Sequence, residues 1–216
     1  MNEAFIFDSI RSPRGKNKNG SLCQLTPVDL LSKLMLALEK KYQLDTSLIN
    51  DVIIGCVMPV NDQGANIGKI AAQYSGWDVD IPSMQINRCC GSGLEAVNLA
   101  AMKIRSGWED LIVSGGIECM SRVPIGADGG PMAFETKVAS RTNYVPQGIG
   151  ADLIATIEGF TRQDLDAYAL MSQKRASEAI KNKRFRSLVP IYDQNDLLLI
   201  AEDEHVRPNT CLLYTS

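Results

Sequence analysis

Two adjacent cysteines, Cys89 and Cys90, stand immediately before Gly91-Ser92-Gly93 and a run of good helix formers in "INRCCGSGLEAV", residues 86–97. A cysteine at a strand-to-helix junction sits where free backbone N–H groups and the positive end of the helix dipole converge. That setting favours the thiolate, which is the nucleophilic form. Small residues just after the cysteine let a ligand approach the backbone closely. The pattern is that of a nucleophile elbow, in which a strand ends, turns sharply and presents the reactive atom at a helix N-terminus. Cys90 adjoins the glycines and is the better N-terminal residue for the helix; Cys89 is one step back in the turn. Local physics leaves both open as the nucleophile, because buried structural cysteines are common.

An elbow needs a strand before it and a helix after it. Ile81–Asn87 reads as extended, with Met84 and Ile86 alternating with Ser83 and Gln85. Gly91–Ser106 reads as a helix with Leu94, Val97, Ala101 and Ile104 on one face. Upstream, residues 4–10 (AFIFDSI) read as a strand. Pro27 opens a helix that runs through Lys41, with Leu30, Leu31, Leu34 and Leu38 at helical spacing. The run DVIIGCVM, 51–58, suits a strand buried on both faces. Asn66–Tyr74 reads as a short helix, and Leu111–Ser114 as another buried strand ending in Gly115-Gly116. This alternation implies a layered α/β domain with a mixed or parallel sheet, extending to about Glu118. Residues 119–150 read as a long structured loop. A helix then runs from Thr161, which can cap it with Asp164, to about Lys181. Leu188–Tyr192 and Leu197–Ala201, flanking Asp193-Gln194-Asn195, read as a hairpin. The domain expectation is therefore an α/β core over 1–118 and a helix-plus-hairpin module over 119–210.

Composition narrows the function classes. The 216 residues carry a net charge of −3, which argues against nucleic-acid binding through a general positive field. No apolar run approaches the roughly 20 residues that cross a membrane. The first apolar run begins almost at Met1 and leaves no room for a leader, so the expected location is cytoplasmic. None of the six cysteines forms a C-x-x-C pair and the single histidine, His205, has no cysteine at ligand spacing, so no metal site is expected. Cys23, Cys56 and Cys119 read as small buried hydrophobes. Lys181, Lys183, Arg184 and Arg186 read as a solvated patch complementing a helix C-terminus rather than as a phosphate site.

"NRCCGSGLEAV", followed by "VSGGIECMS" at 113–121, resembles the thiolase family of acyl-CoA acyltransferases. The first stretch is similar to the family's N-x-x-C-G-S-G-L nucleophile motif and the second to its G-G-x-E-x-M-S signature. "DSIRSPRGK" and "DEHVRP" are also thiolase-like, and the likeness covers residues 1 to about 210. The resemblance implies a thiolase-like layered α/β/α N-terminal domain, incomplete here, with an inserted helix-plus-hairpin loop module. It places the nucleophile and a backbone oxyanion donor on Cys90, with Gly91, Ser92 and Gly93 supporting the turn and Cys89 structural. It implies cysteine-dependent thiolysis of a 3-ketoacyl-CoA to acetyl-CoA and a shortened acyl-CoA, or the reverse condensation, as in fatty-acid metabolism. Coenzyme A is then a substrate, no cofactor is needed, and the full-length protein is expected to be a homodimer or homotetramer. The family's CoA lies near the segment matching "PQGIGADLIA", 146–155. Gln147 stands there where many relatives have methionine, and is the candidate substrate-binding residue.

The family also uses a histidine in a G-H-P motif and a second cysteine in a C-x-G-G-G motif. Neither motif occurs in this sequence; His205 and Cys211 lie in other contexts. The chain is thus expected to be a thiolase N-terminal half that is inactive alone, with apolar surface left uncovered. The tail "CLLYTS", 211–216, does not continue the family pattern and resembles an adapter-encoded peptide, so native sequence is expected to stop near Thr210. Two other readings stand beside this one. A ketoacyl-synthase-like condensing enzyme also uses a helix-start cysteine, but typically shows small hydroxyl residues after it and lacks G-G-x-E-x-M-S. A non-catalytic thiolase-like protein that binds CoA or lipid has no need of Cys90.

Overall fold

The computed structural model describes residues 2–210, and the tail expected to be non-native lies outside the described residues. Among the described residues, one compact unit comprises Asn2–Asp128 together with Ser187–Glu204; a second comprises Gly129–Arg186 and His205–Thr210.

The first unit is built on β1 (Asp51–Gly55), which lies between β2 (Ser83–Ile86) and β3 (Ile112–Gly116), all three parallel. Val52 aligns with Ser83 on one side and Val113 on the other. After Asp51, β1 is apolar because both of its faces are covered. Val52 and Ile54 pack with Leu31 and Met35 of α1 (Pro27–Tyr42) and with Ile67 and Ala71 of α2 (Ile67–Tyr74). Ile53 packs on the opposite face with Ala96 and Ala100 of α3 (Ser92–Ser106). The result is the expected α/β/α layering.

The helix ends follow their side chains. Thr26 and Asp29 form a reciprocal capping box at α1, with the Asp29 N–H donating to Thr26 Oγ1 at 3.0 Å. Such a cap contributes about 1 kcal/mol. Asn66 caps α2, its Oδ1 accepting from the Lys69 N–H at 3.1 Å.

Four expectations are corrected in this unit and a fifth in the second. Residues 4–10 form no strand, and Phe5, Ile6 and Phe7 are exposed. Their composition suits a strand, but a strand exists only through its ladder, and no described strand pairs with them; Arg11, just beyond, bridges Leu188. The buried face of α3 is Ser92, Ala96 and Ala100, not the stripe containing Leu94, which is 70% exposed. Small residues are needed there because α3 approaches the sheet backbone closely. The hairpin, β4 (Ile191–Tyr192) with β5 (Leu198–Ile200), belongs to the first unit rather than to a module beginning at 119. Ile191 and Ile200 are buried against Leu30 of α1. Cys23 is only partly buried, as is Cys119, whereas Cys56 is 1% exposed.

The second unit is helical. It contains α4 (Pro131–Phe134), α5 (Thr136–Thr142), α6 (Gln147–Glu158) and α7 (Arg162–Lys181). The Thr161–Asp164 capping box of α7 forms as its sequence predicts. The segment 119–150, by contrast, is not simply a loop. It contains α4 and α5 and the start of α6, whose first turn was masked in the sequence by Gly148 and Gly150. No residue of Gly129–Arg186 is buried, and Ile149, Leu153, Ile154 and Ile157 of α6 are all exposed.

Candidate active site

The three parallel strands end at the same edge of the sheet, which is where ligands bind in open α/β folds. Beyond β2 the chain turns through Asn87-Arg88-Cys89-Cys90 into α3. The turn is held by side chains. Asn87 Oδ1 accepts the Cys89 N–H at 2.9 Å, an Asx-type bond to the residue two further on. Ser92, 2% exposed, accepts the Arg88 N–H at 2.9 Å through its hydroxyl, which donates to the Cys89 carbonyl at 2.6 Å. The Ser92 and Gly91 N–H groups close back onto the carbonyls of Cys89 and Arg88. Cys89 takes a left-handed backbone, φ 46°, and this places Cys90 at the last position before the helix cap, Gly91.

Cys89 and Cys90 are both exposed. Among the described residues none accepts the Cys90 N–H. Gly91, Ser92 and Gly93 are brought together around Cys90, but they do different things. Gly91 has room: a Cβ there meets only the Arg88 carbonyl, at 3.4 Å. Gly93 faces Gly116 of β3, where a Cβ on Gly116 lies 3.1 Å from the Gly93 Cα. Gln147 is the first residue of α6, in the second unit, and is exposed.

Sequence reasoning missed four residues at this edge. Gly55 ends β1 directly beneath the elbow; a Cβ there would overlap the Ser92 carbonyl group and lie 2.5 Å from the Gly93 nitrogen. Its signal was a lone glycine inside the apolar run 51–58. Asn87 and Glu118 were visible only as letters of two motifs. Gln63 gave no signal, yet it is fully buried and bonds to four partners. Its amide nitrogen donates to the Met58 carbonyl at 2.9 Å, to Glu118 Oε1 at 2.7 Å and weakly to Cys56 Sγ, and its oxygen accepts the Cys119 N–H at 2.6 Å. Burial, reinforced by the Glu118 charge, pushes the Cys56 thiol up to about 11 and the Cys119 thiol up to about 12. Both stay protonated at neutral pH and are poor nucleophiles.

A parallel α/β unit that carries a cysteine at a strand-to-helix elbow on the carboxyl edge of its sheet defines a class of scaffolds that present a side chain at a helix N-terminus. Within that class the chain belongs to the thiolase family: the family described as thiolase, N-terminal domain, matches residues 4–212. It is similar to the 3-ketoacyl-CoA thiolases of Shewanella loihica (36% identity), Shewanella baltica (34%) and Pseudoalteromonas translucida (33%). These matches cover 97–98% of this chain and 55–56% of each relative. The chain therefore spans about half the length of the curated relatives it matches. No helix among the described residues is long and apolar enough to cross a membrane.

Proposed function

We propose that this chain is the nucleophile-bearing half of a 3-ketoacyl-CoA thiolase, a cytoplasmic acyltransferase acting on acyl-CoA substrates. The observation that carries the reading is Cys90, exposed immediately before the Gly91 cap of α3 with its own N–H unclaimed among the described residues. In the thiolytic direction the Cys90 thiolate attacks the 3-keto carbon and forms the C–S bond. The C2–C3 bond then breaks, and its electron pair passes to C2 as the enolate of acetyl-CoA, which takes up a proton. The acyl group remains on Cys90 as a thioester, and the thiolate of free CoA displaces it, regenerating the cysteine. The Cys90 N–H stabilises the oxyanion at the attacked carbon, where charge develops in the transition state. Coenzyme A is a substrate on this reading, and no step calls on a metal or a bound cofactor. The proton steps need a base and an acid beyond Cys90, and the chain's one histidine belongs to the second unit. Gln147 is proposed to contact the pantetheine or acyl portion, and the complete enzyme to assemble as a homodimer or homotetramer.

Iodoacetamide at neutral pH, followed by peptide mass spectrometry, tests the site. Cys90 is expected to label first, with Cys56 and Cys119 unlabelled in the folded chain, and Cys90→Ser is expected to abolish the fast phase. Transfer of an acetyl group from acetyl-CoA to Cys90, seen by intact mass and lost in Cys90→Ser, tests the chemistry. Uniformly slow labelling at Cys90 rejects the nucleophile and favours a non-catalytic CoA-binding protein.

A further inference from the structure

The strand ends carry a polar assembly around the buried Gln63 that the acyl-transfer steps above do not use. Glu118, just after β3, accepts the Val57 N–H through Oε2 at 2.9 Å and the Gln63 amide through Oε1 at 2.7 Å. Val57 follows β1, and its carbonyl accepts the Asn87 side-chain amide at 2.9 Å. Asn87 in turn holds the Cys89 N–H at 2.9 Å. The Cys56 N–H donates to the Ile86 carbonyl at 3.0 Å, tying the same stretch to the end of β2. Val57 is thus held on both sides of its Cα: its N–H, in the Cys56–Val57 peptide, by the Glu118 carboxylate, and its carbonyl, in the Val57–Met58 peptide, by Asn87 of the elbow.

We propose that Glu118 and Gln63 are positioning residues for Cys90, acting through Val57 and Asn87; this rests on the reading of Cys90 as the nucleophile. The physical case is one of stiffness. A backbone segment beyond a strand end has no ladder to hold it, so its amide plane is set by whatever bonds it makes. A hydrogen bond to a carboxylate is roughly twice as strong as one between neutral groups, and it fixes the Val57 N–H. With that N–H anchored, Val57 is held in place beside the elbow, and its carbonyl, in the next peptide, accepts the Asn87 amide. Asn87 can then hold Cys89 left-handed and keep Cys90 at the helix N-terminus. Gln63 aims the carboxylate: it takes one oxygen and leaves the other for Val57. It also claims the Cys119 N–H, which fixes the backbone on the far side of Glu118. Gln63 has no exposed surface, so its bonds cannot be exchanged for water.

Glu118→Gln puts a carboxamide where the carboxylate stands, leaving two amide donors to share one oxygen, so either Val57 or Gln63 loses its acceptor. The exchange variant Gln63→Glu/Glu118→Gln restores an acceptor for Val57, an N–H···O bond between positions 63 and 118, and an acceptor for Cys119, but leaves the Met58 carbonyl without its amide donor, so the recovery it gives is partial. The test is the pH dependence of Cys90 alkylation by iodoacetamide in the 216-residue chain, with urea midpoints measured in parallel. The two roles predict opposite signs. If Glu118 acted only as a charge, its removal would make the thiolate easier to form and would lower the midpoint of the alkylation profile. If Glu118 holds the elbow at the helix N-terminus, its removal loosens the cysteine from the dipole and raises the midpoint, by about a few tenths of a pH unit. The expected result is an upward midpoint in Glu118→Gln and a return towards the native profile in the exchange variant. An unchanged or lowered midpoint in Glu118→Gln, or no recovery in the exchange variant, overturns the inference. Should Glu118→Gln fail to fold, Glu118→Asp, which keeps the charge but loses reach, is read by the same signs. If Cys90 in the native chain shows no fast alkylation, the nucleophile reading itself fails, and that outcome is distinct from fast alkylation with an unaltered variant profile.

Discussion

Gly55→Ala should damage the elbow without touching it chemically. A Cβ at position 55 would overlap the Ser92 carbonyl group and lie 2.5 Å from the Gly93 nitrogen, and these are backbone atoms that cannot rotate away. Restoring ordinary contact at about 3.5 Å requires α3 to retreat by about 1 Å at its first turn. That retreat pulls Ser92 from the Arg88 N–H and the Cys89 carbonyl, the bonds that shape the turn. Overpacking in a core typically costs about 1–3 kcal/mol, and rigid backbone on both sides puts this site at the upper end, about 3 kcal/mol. The urea midpoint of the chain should fall accordingly. The rate of Cys90 alkylation under native conditions should fall as well, since the thiol no longer sits at the helix cap. Gly91→Ala is the control: its Cβ has room, and both observables should stay near the native values. A Gly55→Ala variant with an unaltered urea midpoint and unaltered Cys90 alkylation would show that the close approach of α3 to β1 does not control the site.

Further outcomes follow from the same structure. Lys103→Met should destabilise the first unit by about 2–3 kcal/mol in urea unfolding, because Asp51, 4% exposed, loses the ammonium that it shares with Glu109; adding Asp51→Asn should recover part of the loss. Asp203 is held below the usual carboxylate range by its bidentate bond with Arg11, and Glu204 by its bond from the Ser21 hydroxyl. Their contribution is complete above the unfolded carboxylate pKa of about 4 and is lost as pH falls through the lower folded values. Thermal unfolding should therefore show a steep acid limb that Asp203→Asn flattens. Hydrogen exchange should be faster throughout α6 and α7 than in β1, since Gly129–Arg186 buries no residue. The purified 216-residue chain should show no thiolysis of acetoacetyl-CoA, and measurable turnover would place the missing base within these residues.

Much of the fold was legible because its signals are local. The helix start at Pro27, the Thr161 cap, the both-sides-buried run read over 51–58, of which 51–55 form the strand, and the strand–elbow–helix order all depend on neighbours in sequence. The misreadings arose where a distant partner decides. Residues 4–10 have a strand's composition, but a strand's existence rests on a ladder from elsewhere in the chain. The hairpin follows α7 in sequence, yet Ile191 and Ile200 pack on Leu30, more than 150 residues away. In α3 the stripe of larger residues around Leu94 drew attention, whereas close approach to the sheet selected Ala96 and Ala100. The candidate site divides in the same way. Cys90 and Ser92 were visible in a contiguous motif, Asn87 only as a letter of it, Gly55 only as a lone glycine in an apolar run, and Gln63 not at all, since the roles of these three depend on contacts between separate strand ends.

The left-handed backbone of Cys89 limits which mutations the elbow can survive. Any residue there must adopt φ near 46°, a conformation that β-branched side chains resist at a cost of about 1–2 kcal/mol. Valine, isoleucine and threonine are thereby barred by stereochemistry alone, while glycine, asparagine and small unbranched residues are admitted. The position beside the proposed nucleophile is thus free in its functional group and restricted in its branching. A library randomised at residue 89 should be sorted by side-chain shape at the β-carbon rather than by polarity.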